Sequence, residues 1–519
     1  MEKKKLNLEN IPKEKFALAG ENRRITDTKF DTKPVGYFKD AFNRFKKNKS
    51  SLVAAVIILL LLLYALVVPL FSNYDVNFRD GYYKMLLPRS KVFSFLGWDG
   101  CSWYTVSQAG YDSYSAIGYE YGSSSVKKVS EQIFEEGTGK TYYKIYLDSY
   151  EKVGFAYVDL TEDEYFELMD YQDATGIQVC YPIPENYKMS YQSVANSANL
   201  WYKLADTSNT TTGAALKHDE NGNPIFENNY IIKDSRTYAR YDSLRIPGDD
   251  GGADGKSWYV YAVKNQTGYR VRVLYSAYYK YKNGFEANHL FGTNQHGQDI
   301  FACLAVGARL SFILAISVSL INFLIGVSYG SVEGYYGGVI DLVLERISDI
   351  LSSVPFIVVA TLFQLHLANK VGAVPSLLFA FVLTGWIGIA HRVRTQFYRF
   401  KNSEYVLAAR TLGAKDSRLI FRHVLPNSLG TIITGTVLII PGVIFSESML
   451  TYLGIVNLET SGLTSIGTML SNGQAYLSTY PHIIMFPAVF ISLLEISFNL
   501  FGNGLRDAFN PSLRGSDEE

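Results

Sequence analysis

The chain has 519 residues, of which 48% are hydrophobic, and its 49 lysines and arginines balance its 49 aspartates and glutamates. These totals alone would allow a soluble multidomain protein, but the apolar residues gather in long uncharged runs, which excludes that class. The sequence predicts a polytopic α-helical membrane protein with six transmembrane helices and an inserted extracellular α+β domain.

The first predicted span is residues 51–71, which carry no charged side chain. Roughly 20 apolar residues are enough to cross a ~30 Å hydrocarbon core. The run starts too deep in the chain for a cleaved signal peptide, so we expect a permanent span. Residues 1–50 before it form a basic segment that ends in Lys46, Lys47 and Lys49.

Residues 72–290 form the second predicted unit, an α+β domain outside the membrane. This segment is too long for an ordinary loop, so we expect it to fold. Residues 257–264 and 269–275 alternate around a turn at 265–268, which predicts a hairpin. Further strands are predicted at 140–147 and 176–181. Thr161 and Glu164 form a capping-box pattern, which predicts a helix that runs to Tyr171.

Two cysteines, Cys101 and Cys180, lie in this inserted segment. A disulfide between them is one interpretation, since such bonds persist outside the cell. Two unpaired buried thiols are the other interpretation, and the spacing alone does not decide between them.

Five further spans are predicted in the second half of the chain, at 310–330, 347–367, 374–390, 432–453 and 483–501. Gly326, Gly330 and Gly334 recur at a spacing of four, which allows close approach of helices in lipid, with ordinary helix flexibility as the alternative. Glu447 and Glu495 lie within apolar spans, so we expect them to face a protein interior or an aqueous path.

Lysine and arginine are concentrated at both termini and between the fourth and fifth spans. Because basic residues favour the cytoplasmic side, we expect both termini and this loop to be cytoplasmic, in a bacterial cell membrane. Residues 72–290 are then extracellular.

The basic loop at 403–427 is predicted to form two short helices. The first, 404–412, ends at Gly413, which suits the left-handed conformation past a helix. The second, 416–423, stops before Pro426. Ala408 and Ala409 leave a small-residue face that a partner can approach closely. An amphipathic loop without a partner is the alternative.

This segment resembles the cytoplasmic loop of permease subunits of ABC importers, whose signature is Glu-Ala-Ala, three residues, Gly, and a later Leu-Pro. The matching residues are Leu407-Ala408-Ala409, Gly413 and Leu425-Pro426, with Leu407 in place of the usual glutamate. The resemblance implies the type I ABC importer permease fold and a loop that inserts into a cleft of a separate ATPase subunit. The implied contact residues are Glu404, Ala408, Ala409, Arg410, Gly413, Ala414, Arg422, Leu425 and Pro426.

The resemblance narrows to the C-type permease of oligopeptide and dipeptide importers. Segments 292–299, 307–311, 333–338 and 499–507 are similar to that family, while Asn294 and Gln298 depart from its pattern. The similarity covers about residues 40–72 and 290–514, and the large insertion is outside it. It implies a permease core at 291–502, with the coupling loop at 391–427, and a cytoplasmic tail at 503–519.

The resemblance also implies the partners. We expect a homologous B-type permease, two ABC ATPase subunits, an extracellular substrate-binding protein and the lipid bilayer, with no nucleic acid. The chain is then a transport subunit for peptides and not an enzyme. We expect no cofactor or metal in it, with ATP and Mg on the partner ATPases. The insertion is interpreted as a docking scaffold for the substrate-binding protein or the partner permease, and packing between strands is the alternative role for its many tyrosines.

Other functions remain open at this point. A membrane-anchored receptor or sensor would place the function in the external domain, and a permease of this kind could carry nickel or another non-peptide cargo. A secondary transporter would show internal repeats, and the sequence has no such symmetry. The sequence also has no recognisable catalytic constellation.

Overall fold

The computed structural model describes residues 37–117, 121–135, 137, 139–181, 183–184, 198–199, 220, 259–458 and 463–509. Residues 1–36 of the predicted N-terminal segment, residues 257–258 of a predicted strand and residues 510–519 of the predicted tail lie outside them. The helices are α1 Tyr37–Lys47, α2 Lys49–Phe71, α3 Gln108–Ala116, α4 Glu162–Thr175, α5 Tyr275–Asn283, α6 Ile300–Tyr336, α7 Gly338–Ser352, α8 Phe356–Val371, α9 Ala373–Gly385, α10 Ile387–Phe400, α11 Glu404–Thr411, α12 Asp416–Arg418, α13 Leu425–Val437, α14 Ile439–Tyr452, α15 Ile466–Gln474 and α16 His482–Phe509.

The described residues contain five helical stretches that are long and apolar enough to cross a membrane. They are Lys49–Phe71, Ile300–Tyr336, Ala373–Phe400, Asp416–Tyr452 and His482–Phe509. The pair formed by α7 and α8 makes a sixth if it is counted as one span. The chain is therefore a polytopic helical membrane protein, and the apolar run at 51–71 is confirmed as helix α2.

The span predicted at 347–367 is wrong as a single helix. α7 and α8 are separated by a short break and bent by 72° relative to each other. Pro355 stands just before α8. Because proline lacks an N–H group and disfavours helical geometry in the residue before it, the run cannot continue straight.

The helix predicted at 416–423 does not stop before Pro426. One turn of π-helix at Leu419–Val424 follows α12 and leads directly into α13, whose first turn contains Pro426. Proline is tolerated in a first helical turn, so the helix continues from the predicted loop into the predicted fifth span. The tail boundary predicted at residue 503 likewise lies inside α16.

The inserted region is an α+β domain, as predicted. Its strands are β1 Cys101–Ser107, β2 Val126–Glu135, β3 Lys140–Asp148, β4 Phe155–Thr161, β5 Cys180–Tyr181, β6 Ile183–Pro184, β7 Tyr259–Val260, β8 Ala262–Lys264 and β9 Gly268–Leu274. One antiparallel sheet has the order β1-β3-β2, a second has the order β4-β9-β5 with β8 also on β9, and β6 pairs with β7.

Local sequence signals in this domain are largely confirmed. The hairpin β8–β9 turns where the Asn265 side chain accepts hydrogen bonds from the N–H groups of Thr267 and Gly268. The capping box of Thr161 and Glu164 opens α4, which extends past the predicted end to Thr175. The strand predicted at 176–181 shrinks to β5, because residue 176 is the left-handed glycine that ends α4.

Of the two interpretations of the cysteines, the unpaired thiols are the correct one. Cys101 and Cys180 are both free thiols, the first half-buried in β1 and the second buried in β5 of the other sheet. Burial raises the pKa of each thiol to about 12. Thiolate is the reactive form, so both groups are poorly reactive at neutral pH.

The inserted domain packs directly on the helical core. The Thr293 hydroxyl donates to the backbone oxygen of Tyr83 (2.6 Å) and accepts from the N–H of Leu86 (2.8 Å). The Trp98 ring lies edge-on to Phe291 and Phe486, with ring centroids 6.0 and 5.7 Å away. These contacts tie the domain to the segment just before α6 and to α16.

The glycines of α6 form a close seam with α10. A Cβ atom at Gly330 would overlap the carbonyl oxygen of Ala390, one at Gly326 would lie 2.8 Å from that of Trp386, and one at Gly334 would lie 2.9 Å from that of Arg394. This geometry confirms the close helix approach predicted from the four-residue spacing.

Glu447 faces the protein interior, as predicted. Its carboxylate accepts hydrogen bonds from the hydroxyls of Ser311 (2.9 Å) and Thr451 (3.1 Å), which joins α14 to α6. Glu495 is half-buried on α16. A buried carboxylate needs such hydrogen-bond donors, because desolvation is otherwise costly.

We predict that Gly330→Ala lowers the thermal stability of the detergent-solubilised protein, because the new methyl group must separate α6 from α10. Overpacking of this kind costs about 1–3 kcal/mol. Gly388→Ala on α10, where nothing lies within 4 Å of the added Cβ, is the matched control. A melting temperature that falls no further for Gly330→Ala than for Gly388→Ala would contradict the seam.

Candidate coupling surface

Residues 401–424, which we call the coupling surface, connect α10 to α13. The loop predicted at 391–427 is therefore shorter, because its first ten residues belong to α10 and its last three to α13. α11 ends in two characteristic hydrogen bonds, from the N–H of Gly413 to the oxygen of Arg410 and from the N–H of Ala414 to the oxygen of Ala409. Gly413 has φ +83°, so the predicted left-handed end of this helix is confirmed.

The inner side of the coupling surface is an apolar floor. Val406, Leu419 and Val424 are fully buried, and they pack with Val393 and Phe397 of α10 in one cluster. Val327 and Tyr335 of α6 belong to the same cluster. Burying a side chain of this size stabilises by about 1.5–3 kcal/mol, so the coupling surface is held firmly against the ends of α6 and α10.

Polar contacts add to this attachment. The Tyr335 hydroxyl donates to Asp416 (2.6 Å), which joins α6 to α12. The Lys401 ammonium donates to the backbone oxygens of Gly334 (2.9 Å) and Tyr335 (3.4 Å). The last carbonyls of a helix lack internal partners and carry partial negative charge, so a cation there is favourable. Burial nevertheless lowers the pKa of Lys401 below its ordinary value.

The outer side of the coupling surface combines apolar and basic residues. Leu412 is 89% exposed and Phe421 is 56% exposed, and Leu407 lies nearby in the sequence at 43%. The exposed basic residues around them are Arg410, Lys415, Arg418 and Arg422. Exposed apolar side chains rimmed by charge are typical of a protein–protein interface.

Some of the contact residues implied by the family resemblance lie on the outer side of the coupling surface, and others lie on its inner side. Glu404, Ala408, Arg410, Gly413, Arg422 and Pro426 are exposed, whereas Ala409, Ala414 and Leu425 are partly buried beside the apolar floor. Of the two alanines of the predicted small-residue face, only Ala408 is exposed, because Ala409 packs against the apolar floor. The family signature does not include Leu412 or Phe421, so the sequence analysis missed these two exposed apolar residues. An apolar residue next to the glycine that ends an exposed helix is the signal that points to Leu412.

Metal ligands are not assembled in the part of the chain that the structure describes. Within it, no group of three or more histidine, cysteine, aspartate or glutamate side chains is placed to hold an ion.

Two sequence families match the chain. Residues 322–515 match the binding-protein-dependent transport system inner membrane component. Residues 36–88 match the N-terminal TM domain of oligopeptide transport permease C. The first match covers most of the helical core, the second covers α1, α2 and the beginning of the inserted domain, and neither covers residues 89–321.

Named relatives agree with these matches. The oligopeptide transport system permease protein OppC of Bacillus subtilis is 43% identical over 227 residues, which is 44% of this chain and 73% of that protein. The dipeptide transport system permease protein DppC of the same species is 42% identical over 229 residues, which is 44% of this chain and 70% of that protein. OppC of Escherichia coli is 35% identical over 230 residues, which is 44% of this chain and 74% of that protein.

Among solved structures, an inward-facing conformation of the MetNI methionine ABC transporter is similar over 40% of this chain and 96% of that chain, at 16% identity. The TM-score is 0.32, so the family assignment depends on the sequence relatives.

Proposed function

Because the chain belongs to the family of oligopeptide and dipeptide transport permeases, we propose that the coupling surface is where a separate ATPase subunit drives its movement. The chain is a permease subunit of an ATP-driven peptide importer in the bacterial membrane, and it is not itself an enzyme. OppC and DppC of Bacillus subtilis, to which the chain is similar, are peptide permeases by name. The peptide function is favoured over a receptor or a nickel permease.

We further propose the assembly in which this permease works. A homologous B-type permease completes the translocation path, and two ABC ATPase subunits that bind ATP and Mg contact the coupling surfaces. A substrate-binding protein delivers the peptide from outside. The concentration of lysine and arginine in the loop after α10 supports a cytoplasmic location for the coupling surface and an extracellular location for the inserted domain.

The attachment of the coupling surface suggests how movement is transmitted. Nucleotide-driven closure of the ATPases displaces the outer side of the surface, where Leu412 and Phe421 are exposed. The apolar floor and the Tyr335–Asp416 hydrogen bond make the surface move together with the ends of α6 and α10. The helices then change between two packed arrangements, each favoured by a different set of ligands.

The observation that carries this proposal is an exposed apolar and basic outer side on a segment whose inner side is fully packed. We predict that Leu412→Asp weakens association with the ATPase subunits at least about 30-fold and lowers peptide uptake in parallel. An apolar side chain at the centre of an interface contributes about 2 kcal/mol or more. Co-purification of the ATPases and uptake of a labelled peptide are the measurements.

The control for that experiment is Leu477→Asp. Leu477 is 53% exposed, but it lies between α15 and α16 and outside the coupling surface. Equal ATPase association in the Leu412→Asp and wild-type transporters would exclude the coupling surface as the point of contact.

We also propose that the inserted domain is a docking scaffold for the substrate-binding protein. The sheet β1-β3-β2 buries one face, on which Tyr143, Ile145 and Leu147 pack. On the other face, Trp103 pairs with Tyr146 across the strands, and Trp103 is 45% exposed. Tyrosine and tryptophan suit contact surfaces, because they offer a large area at small entropic cost.

Trp103→Ser combined with Ile133→Ser is therefore expected to weaken capture of the substrate-binding protein about tenfold or more. Ile133 pairs with Tyr142 on the same open face as Trp103. Phe166→Ser, which changes an exposed aromatic residue of α4, is the control. Affinity is measured with the transporter in lipid nanodiscs. Capture that is equal in the double variant and the control would refute docking on this face.

A further inference from the structure

Helix α7 is attached to the rest of the protein mainly by polar contacts. Its buried side chains are Asp341 and Ser348. Its apolar residues are mostly exposed, namely Val339, Ile340, Leu342, Val343, Ile347 and Ile350. α7 therefore lacks the fully buried apolar anchors that hold the coupling surface.

The main attachment is an ion-pair cluster centred on Arg394 of α10. Its guanidinium donates to both oxygens of Asp341 (2.6 and 2.9 Å) and to both oxygens of Glu345 (2.9 and 3.0 Å). The Tyr398 hydroxyl donates to Asp341 as well (2.5 Å). Bidentate pairs of this kind are strong and fix the geometry of both partners.

A third carboxylate belongs to the cluster but is not hydrogen-bonded. Glu333 of α6 has a fully buried side chain, and its Oε1 lies 3.5 Å from Nε of Arg394. Neither of its oxygens has a hydrogen-bond partner among the described residues. A buried carboxylate without hydrogen bonds is costly, so Glu333 is stabilised if Arg394 turns toward it.

The backbone at each end of α7 allows such a change. Gly337, between α6 and α7, and Gly338, the first residue of α7, have φ values of +68° and +58°. Two consecutive residues with positive φ are readily formed only by glycine. At the other end, the break before Pro355 bends α7 by 72° from α8. α7 is thus a short rigid helix between two hinges.

We propose that Arg394 is a positioning residue that exchanges carboxylates during the transport cycle. In the arrangement seen here it holds α7 through Asp341 and Glu345. When α7 swings away at its two hinges, Arg394 pairs with Glu333 instead, which keeps the guanidinium neutralised in both arrangements. This inference rests on the proposed function, because the movement of α7 is the step that nucleotide binding would drive.

The test is the conformational equilibrium of α7 in the assembled transporter. Spin labels at Val343→Cys and Gly388→Cys report the distance between α7 and α10, since both positions are exposed. Removing one charge from an ion-paired hydrogen bond shifts the equilibrium about tenfold. Glu333→Gln is expected to raise the ratio of held to released α7 about tenfold, and Glu345→Gln to lower it about tenfold.

Arg346→Gln is the matched control. Arg346 lies on α7, and its exposed guanidinium pairs with Asp349 in an i,i+3 pair, so its removal is expected to change the ratio less than about twofold. If the Glu345→Gln protein does not fold, Asp341→Asn replaces it with the same expected direction.

Shifts of the two cluster variants in the same direction, or shifts no larger than that of the control, would overturn the exchange. Failure of the proposed function has a different signature, in which adding ATP and the ATPases leaves the wild-type distance distribution unchanged. Opposite shifts without a nucleotide response would support the exchange and contradict only its link to ATP.

Discussion

The close packing of α6 against α10 is the constraint on which the geometry of the coupling surface and of α7 depends. At Gly326, Gly330 and Gly334 the two helices are so close that an added Cβ atom would lie less than 3 Å from a backbone oxygen of the facing helix. This approach places Tyr335 of α6 beside α12 and Lys401 beside the last carbonyls of α6. Lipid gives no hydrophobic incentive for two helices to associate, so close packing through small residues supplies the attachment.

The coupling surface and α7 are both attached near this seam, but through different kinds of contact. The coupling surface is held by buried apolar side chains, whose many small dispersion contacts resist displacement. α7 is held by the ion pairs that Asp341 and Glu345 form with Arg394. In the proposed exchange, Arg394 pairs with Glu333 instead, and no buried apolar side chain has to be displaced. In the proposed function, the firmly packed coupling surface receives the motion of the ATPase, and α7 is the helix that moves.

Much of this architecture could be predicted from the sequence, because its signals are local. The first span depends on one uncharged run of the chain, and the capping box of α4 and the left-handed Gly413 depend on residues within one or two helical turns. The predictions that were wrong have two different origins. Hydropathy averages over the local signal of Pro355 and so missed the 72° bend, whereas a proline pattern could not show that the π-helical turn at Leu419–Val424 lets the helix continue through Pro426.

Side-chain placement at the site was the hardest part to predict. Cysteine spacing gives no information on the sheet to which each residue belongs, and Cys101 and Cys180 lie in different sheets. The family signature identified the coupling segment but not its exposed apolar residue Leu412. The cluster around Arg394 brings together residues far apart in the chain, so no periodicity could reveal it.

The most direct test of the central claim is photo-crosslinking from position 412 in the intact membrane-embedded transporter. With a benzophenone amino acid in place of Leu412, irradiation is predicted to join this chain to the ATPase subunit, in a yield that changes when ATP is bound. Adducts with an extracellular protein, or labelling of this position by a membrane-impermeant reagent added outside intact cells, would contradict the account.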